Sequence, residues 1–219
     1  HDDQHGTAVV TLAGLINAKI TGRNLADSKF VVVGAGAAGT AIAKLLKLYG
    51  VGQILAVDSK GIISASRDDM NEAKRLLLEH VDGSIDGSLA DALQDADVFI
   101  GVSQPNLLNE GLIKTMSKDP IVFAMANPTP EIMPEIAKAA GVAVMATGRS
   151  DFPNQVNNAI AFPGIFRGAL DNHVREITDQ HKIAAAEAIA RLIELPTADE
   201  IIPSVFDERL VPAIASVIS

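Results

Sequence analysis

The sequence predicts the α/β class: one doubly wound parallel sheet with helices on both faces and extra helices at its C-terminal end. Three observations predict it. Short β-branched apolar runs alternate with amphipathic helical stretches from residue 29 to residue 145, and right-handed βαβ crossovers make such strands neighbours in a parallel sheet. A glycine-rich hexapeptide, Gly34-Ala35-Gly36-Ala37-Ala38-Gly39, lies directly between the first apolar run and the helix after it. Beyond residue 156 only helical periodicity remains.

In chain order, residues 7–20 predict an amphipathic helix, with Val10, Leu12, Ile16 and Ile20 among its apolar positions and Gly22 just past its end. A polar turn over 24–28 leads into Lys29-Phe30-Val31-Val32-Val33, a short buried strand. The glycine segment follows, then a helix over 40–49 closed by Gly50. Residues 53–57 make the second strand, which ends on Asp58. Helices are expected over 68–80 and 89–94, joined by a flexible crossover over 82–88. The alternation then repeats, with strand 97–102, helix 109–116, strand 121–124, helix 130–140 and strand 142–145. Helices over 156–170, 179–193 and 208–217 complete the chain. No repeat, low-complexity tract or Gly/Ser-rich linker divides it, so residues 1–219 read as one domain with an N-terminal helix and a C-terminal helical extension.

A glycine triplet alone carries little information; its placement here supplies the rest. The turn leaves an apolar strand and opens a helix, where backbone N–H groups and the helix dipole can meet a pyrophosphate. In that Rossmann-type arrangement Gly34 permits the tight turn, Gly36 lets the backbone approach the phosphates, and Gly39 lets helix and strand pack closely. Asp58 stands where a carboxylate accepts from the adenosine ribose hydroxyls, which favours NAD because the same charge repels a 2′-phosphate. Lys60 is close enough in sequence to reach that phosphate, so NADP stays open. The plain alternative is a glycine-rich βα turn that holds no ligand.

Composition narrows the rest. The chain has 219 residues, 48% of them hydrophobic, enough for a substantial core. Its net charge of -9 and lack of a Lys/Arg run argue against nucleic acid as a partner. With no cysteine, disulfides, thiolate zinc sites and thiol catalysis are excluded, and a reducing, cytoplasmic setting is expected. No apolar run is long enough for a membrane helix, so no membrane partner is expected. His5, His80, His173 and His181 show no ligand spacing, and the methionines read as core filler.

Three further segments stand out beside the glycine turn: His1-Asp2-Asp3-Gln4-His5-Gly6-Thr7-Ala8, Ala126-Asn127-Pro128-Thr129-Pro130-Glu131, and Gln155 to Gly164. The first resembles the Asp-Asp…Gly-Thr segment at the entry to the NAD domain of malic enzymes, the second their Asn-Pro-Thr turn and the third their Asn-Asn…Phe-Pro-Gly segment. With the glycine turn, their order and spacing resemble those of the malic enzyme family of the compact bacterial type. The resemblance covers essentially the whole chain. It implies oxidative decarboxylation of malate to pyruvate and CO2 with NAD or NADP and Mg2+ or Mn2+. It also implies Asp3 as a metal ligand with Asp2 supporting it, Thr7, Ser103 and Asn127 beside the cofactor, and Asn127 and Asn158 on malate. The residues themselves permit plainer roles. Asp2 and Asp3 would favour a helix N-terminus, Asn127-Pro128 would start a turn, and Asn157-Asn158 would sit exposed near a helix start. Arg149, Asp151 and Asn154 read as a solvated loop.

Two requirements of the family are missing. Its general base is a lysine and its general acid a tyrosine, but no lysine here matches, and the single tyrosine, Tyr49, reads as core packing. The partner carboxylates of Asp3, a Glu-Asp pair in the family, have no match either. The expectation is therefore a fragment: the NAD-binding half of an enzyme whose acid–base half precedes His1, and a homo-oligomer in its full-length form. The rivals are a malolactic-type enzyme that keeps its NAD, a non-catalytic nucleotide-sensing module of a multidomain protein, and the NAD domain of an amino-acid dehydrogenase.

Overall fold

The computed structural model describes residues 1–219. Six strands form one sheet in the order β3-β2-β1-β4-β5-β6: β1 (Lys29–Val33), β2 (Gln53–Asp58), β3 (Gly61–Ile62), β4 (Val98–Gly101), β5 (Ile121–Ala124) and β6 (Val144–Thr147). All pair in parallel except β3, which folds back antiparallel on β2 through Val57–Ile62 and Asp58–Gly61. The expected parallel sheet is present, with one short antiparallel strand added at its edge. A two-residue strand has no apolar run to announce it, and the Gly87 carbonyl that accepts from Ile62 N–H comes from far along the chain.

Along the central strands nearly every residue is buried, so alternate side chains feed two separate cores. Phe30, Val32, Ile100 and Phe123 enter a cluster of 37 buried residues with the inner faces of α1 (Thr7–Asn17), α2 (Ala37–Tyr49) and α8 (Asp179–Arg191). Val31, Val33, Phe99 and Val122 enter the smaller cluster of 18 beneath α4 (Leu89–Leu93), α5 (Glu110–Ile113) and α6 (Pro134–Ala139). The heavier layer is the one that carries the N- and C-terminal helices, including α7 (Phe162–Asp171) and α9 (Leu210–Ala215), which pack on each other. No helix is long and apolar enough to cross a membrane.

Several expected boundaries move for local reasons. The helix expected over 68–80 shortens to α3 (Glu72–Leu78), because Asn71 caps it by accepting from the Lys74 N–H at 2.9 Å. The strand expected over 142–145 starts two residues later. Gly141, at φ +104°, ends α6 in a Schellman turn that commits the Val142 N–H to Ala137 O. The helix expected over 156–170 begins as a 3-10 turn, Asn158–Ile160, and becomes α-helical only at Phe162, next to Pro163. The crossover over 82–88 is pinned rather than loose: Gly87 O accepts from Ile62 N–H, and the Asp86 carboxylate from the Ser64 and Ser66 hydroxyls.

Candidate functional site

Strand order places β1 between β2 and β4, so the chain leaves the carboxyl ends of β1 and β4 in opposite directions and opens a crevice there. The glycine turn lies in it. Gly34 has φ +123°, and a Cβ added there would also fall 2.9 Å from Val102 O. A Cβ on Gly39 would stand 1.8 Å from Gly34 O, so α2 packs on the turn with no room for a side chain. Gly36 differs from both: it has φ -83° and ψ -173°, and a Cβ there would meet nothing within 4 Å. Gly36 also caps α2 without any side-chain acceptor. The first N–H groups of a 13-residue helix, beginning at Ala37, Ala38 and Gly39, therefore open onto the free space beside Gly36.

One pocket, of ≈ 330 Å³, runs along Ala35, Gly36 and Ala37 of the turn itself, and two more flank it. The first flanking pocket, of ≈ 320 Å³, is lined by Val33, Asp58, Lys60, Leu89, Ser103 and Leu107. The second, of ≈ 310 Å³, is lined among others by Thr7, Ala38, Met125, Ser103, Asn127 and Asn158. Four positions chosen from separate stretches of sequence (Thr7, Ser103, Asn127 and Asn158) thus share one wall, and Ser103 borders both pockets. No titratable side chain lines the second pocket.

Asp2 and Asp3 occupy a π-helical turn, Asp2–Gly6, that runs directly into α1, so both sit in a first helical turn as the plainer reading expects. Their surroundings differ. The Asn158 amide donates to Asp2 Oδ2, while Asp2 Oδ1 is buried with no partner and lies against Gly6. Asp3 is exposed, and its backbone carbonyl accepts from the Thr7 hydroxyl at 3.1 Å. Asn127 leads into a cis peptide with Pro128.

Asp58 does not stand free at the end of β2. Its Oδ1 accepts from Lys60 N–H at 2.9 Å and Arg67 Nη1 at 2.9 Å; its Oδ2 accepts from Arg67 Nη2 at 3.0 Å and Lys74 Nζ at 2.9 Å. A carboxylate offers about four lone-pair sites, and the chain itself fills them. Asp69 joins the group, taking Arg67 Nε and Nη2 at 2.8 and 2.7 Å, Lys74 at 2.7 Å and Lys60 at 3.2 Å. Burial alone would raise the Asp58 pKa, but hydrogen bonds from Arg67, Lys74 and the Lys60 amide outweigh it and hold the value at about 2. Because the folded value lies below the ordinary 3.8, this ion pair stabilises the fold above about pH 4, and the contribution is lost as pH falls through 2. Urea melts between pH 5 and 2 should therefore show an acid loss of stability that Asp58→Asn flattens; parallel curves would contradict it.

Arg67, Lys74 and Asp69 carry no signal in the sequence, because they lie in and beside an irregular segment where no periodicity exposes their convergence. Glu131 reads in the sequence only as part of a turn. Glu131 is fully buried, and its carboxylate accepts from Ser103 N–H at 3.2 Å and Ala126 N–H at 3.0 Å. Asn154, read as solvated, is also buried. It donates to Met145 O and Ala198 O at 3.0 and 2.8 Å and accepts from Ile201 N–H at 2.9 Å, stapling the loop after β6 to the C-terminal segment. Its neighbours Arg149 and Asp151 do form an ion pair in a solvent-facing loop. Tyr49 is half-buried at the end of α2, in a groove with Asn17, Glu187 and Arg191 rather than in either pocket beside the turn.

The family model described as "Malic enzyme, NAD binding domain" matches residues 4–217. The chain is 55% identical over 225 residues to the bifunctional malic/malolactic enzyme of Bacillus subtilis, covering all of this chain and 55% of that protein. It is 42% identical over 239 residues to the NADP-dependent malic enzyme of Halomonas elongata, covering all of this chain and 56% of that one. The crystal structure of the NAD-dependent malic enzyme from Thermotoga maritima superposes with a TM-score of 0.95 at 44% identity, over all of this chain and 58% of that one. The chain therefore spans about half the length of the relatives it matches. With its strand order, its glycine turn and a match running almost end to end, the chain belongs to the malic enzyme family, of which it is the NAD-binding domain.

Proposed function

We propose that this chain holds the dinucleotide of an enzyme that oxidises malate and releases CO2, with NAD as its cofactor and NADP as the alternative. The observation that carries the reading is the shared pocket of Thr7, Ser103, Asn127 and Asn158 beside the uncapped N-terminus of α2. The pyrophosphate lies on the N–H groups of Ala37, Ala38 and Gly39, where the helix dipole favours an anion. The adenosine half then lies toward Asp58, and the nicotinamide half toward Asn127. Asn127 and Asn158 supply neutral amides that orient a dicarboxylate without adding charge. Asp2 holds the Asn158 amide in place, since its Oδ2 accepts from that side chain.

A divalent cation does not fit this chain's residues alone. No three His, Asp or Glu side chains converge, and a hard cation takes about six oxygen ligands. Asp3, and the unpartnered Oδ1 of Asp2, could contribute to such a site only alongside ligands that these residues do not provide. The same holds for proton transfer, since the second pocket has no acid or base of its own. The chain therefore binds and orients, and acid–base groups and the remaining ligands come from another part of the enzyme, as the length of its relatives supports.

The test is direct. Calorimetry should show NAD+ binding to the 219-residue chain, while malate and Mn2+ added to it yield no NADH above background. Turnover at about 1 s⁻¹ or faster, the ordinary enzyme range, would overturn the division of labour. Absence of NAD+ binding at millimolar concentration would overturn the cofactor reading itself.

A further inference from the structure

Glu131 is a fully buried carboxylate that no part of the reading above uses. Its two oxygens face two different loops at the carboxyl edge of the sheet. Oε1 accepts from Ser103, in the loop after β4, and Oε2 from Ala126, in the loop after β5. Its main chain adds to the first connection: Glu131 O accepts from Leu108 N–H at 2.9 Å, and Pro130 O from Asn106 N–H at 3.2 Å. Gly101 leaves room for this, because a Cβ there would stand 2.4 Å from the Glu131 carboxyl carbon. No cation is bonded to the carboxylate; both of its oxygens are met by neutral backbone donors. Burial lifts its pKa above the ordinary value, against the opposing effect of those N–H bonds.

Burying a carboxylate is costly even when neutral donors meet both oxygens, and what it secures in return is the geometry it imposes. The residues it clasps are informative. Ser103 borders both pockets, and Ala126 and its neighbour Asn127 line the second. We infer that Glu131 is a positioning residue, which fixes the loops after β4 and β5 to each other and so shapes the pocket that takes the nicotinamide half of the dinucleotide. This rests on the dinucleotide reading above, but it assigns a role to a residue that touches no ligand. Ser103 and Asn127 are thereby set at a fixed separation, and the adenosine side is left to Asp58 and the glycine turn.

Glu131→Gln tests it, because a carboxamide keeps the shape but has one acceptor oxygen for two N–H donors. Two ligands separate positioning from a general structural loss: ADP-ribose, which lacks nicotinamide, and NADH, whose nicotinamide emission reports its surroundings. The variant should bind ADP-ribose within about twofold of the unaltered chain yet bind NADH about tenfold more weakly, the cost of one unmet buried donor. The emission enhancement of bound NADH should fall with it. Equal NADH affinity and emission would overturn the inference, as would a parallel loss of both ligands. If the unaltered chain bound neither ligand, the dinucleotide reading would fail and this proposal with it. If it bound both and Glu131→Gln did not fold, amide hydrogen exchange of the unaltered chain would decide. Ser103 and Ala126 should then be protected like the strand amides, and exchange as fast as an exposed loop would overturn the role.

Discussion

Replacing Gly36 by valine is expected to weaken NAD+ binding by about a hundredfold or more, the loss of most phosphate contacts at a helix N-terminus, while the fold stays intact. The expectation follows from the difference between the three glycines. At Gly39 a Cβ would stand 1.8 Å from Gly34 O, and at Gly34 the backbone has φ +123° and Val102 O is 2.9 Å from the same added atom. Substitution at either position disturbs the packing of α2 on β1 whether or not a ligand is present. Gly36 has an extended backbone that a β-branched residue readily adopts, and a Cβ there meets nothing. It gives α2 no side-chain cap, so valine removes no capping bond. Its isopropyl group would instead fill the open space in front of the Ala37, Ala38 and Gly39 N–H groups. Calorimetry should show the loss of NAD+ affinity, and thermal melts of the ligand-free chain should shift by no more than about 4 °C, the effect of 1 kcal/mol or less. Gly39→Ala is the contrast, with a clear fall in melting temperature. If Gly36→Val bound NAD+ normally, the pyrophosphate would have to lie elsewhere.

That turn was legible because a strand, three glycines and a helix occur consecutively, so local sequence order coincides with spatial order. The pocket walls were legible for another reason: Asp2, Thr7, Asn127 and Asn158 lie in segments whose residue types resemble one family in register, and the fold brings them to one edge. Where distant partners decide, the sequence is silent. β3 is two residues long and exists because Asp58 and Gly61 pair across a tight turn that Gly87 O closes. Asn154 looked polar and therefore solvated, but its three partners, Met145, Ala198 and Ile201, satisfy it inside the protein. Glu131 sits in a turn rich in proline and threonine, and only the arrival of Ser103 and Ala126 from two other loops explains an acid with no exposed surface. Asp58 is the most instructive case. It ends β2 as the strand pattern predicts, but Arg67 and Lys74, which fill its oxygens, arrive from beyond β3, where nothing in the order of residues brings them to it.

Because of those two cations, Asp58→Ala is expected to shift the ratio of NADP+ to NAD+ affinity by about a hundredfold toward NADP+, the effect of roughly two charge-assisted hydrogen bonds to phosphate. Lys60, Arg67 and Lys74 face Asp58 and Asp69, three cations against two anions. Removing Asp58 leaves Arg67 Nη1 and Lys74 without one of their carboxylates, at the place where the adenosine 2′ position is expected. A 2′-phosphate returns negative charge and acceptor oxygens to the same donors. NAD+ gains nothing comparable, and loses little, since the four acceptor sites of Asp58 were already filled by the chain. The variant should fold, because Arg67 keeps Asp69 at 2.8 and 2.7 Å and is not left buried and unpaired. Calorimetry with both cofactors at one fixed salt concentration measures the ratio, and the gain for NADP+ should shrink as salt rises. Adding Arg67→Ala should remove most of the gain, because the planar guanidinium is the donor best matched to phosphate. An unchanged ratio in Asp58→Ala would mean that the cluster only braces the loop between β3 and α3. Cofactor choice would then have to be set by other residues of the pocket, with Ser59 and Lys60 the next to alter.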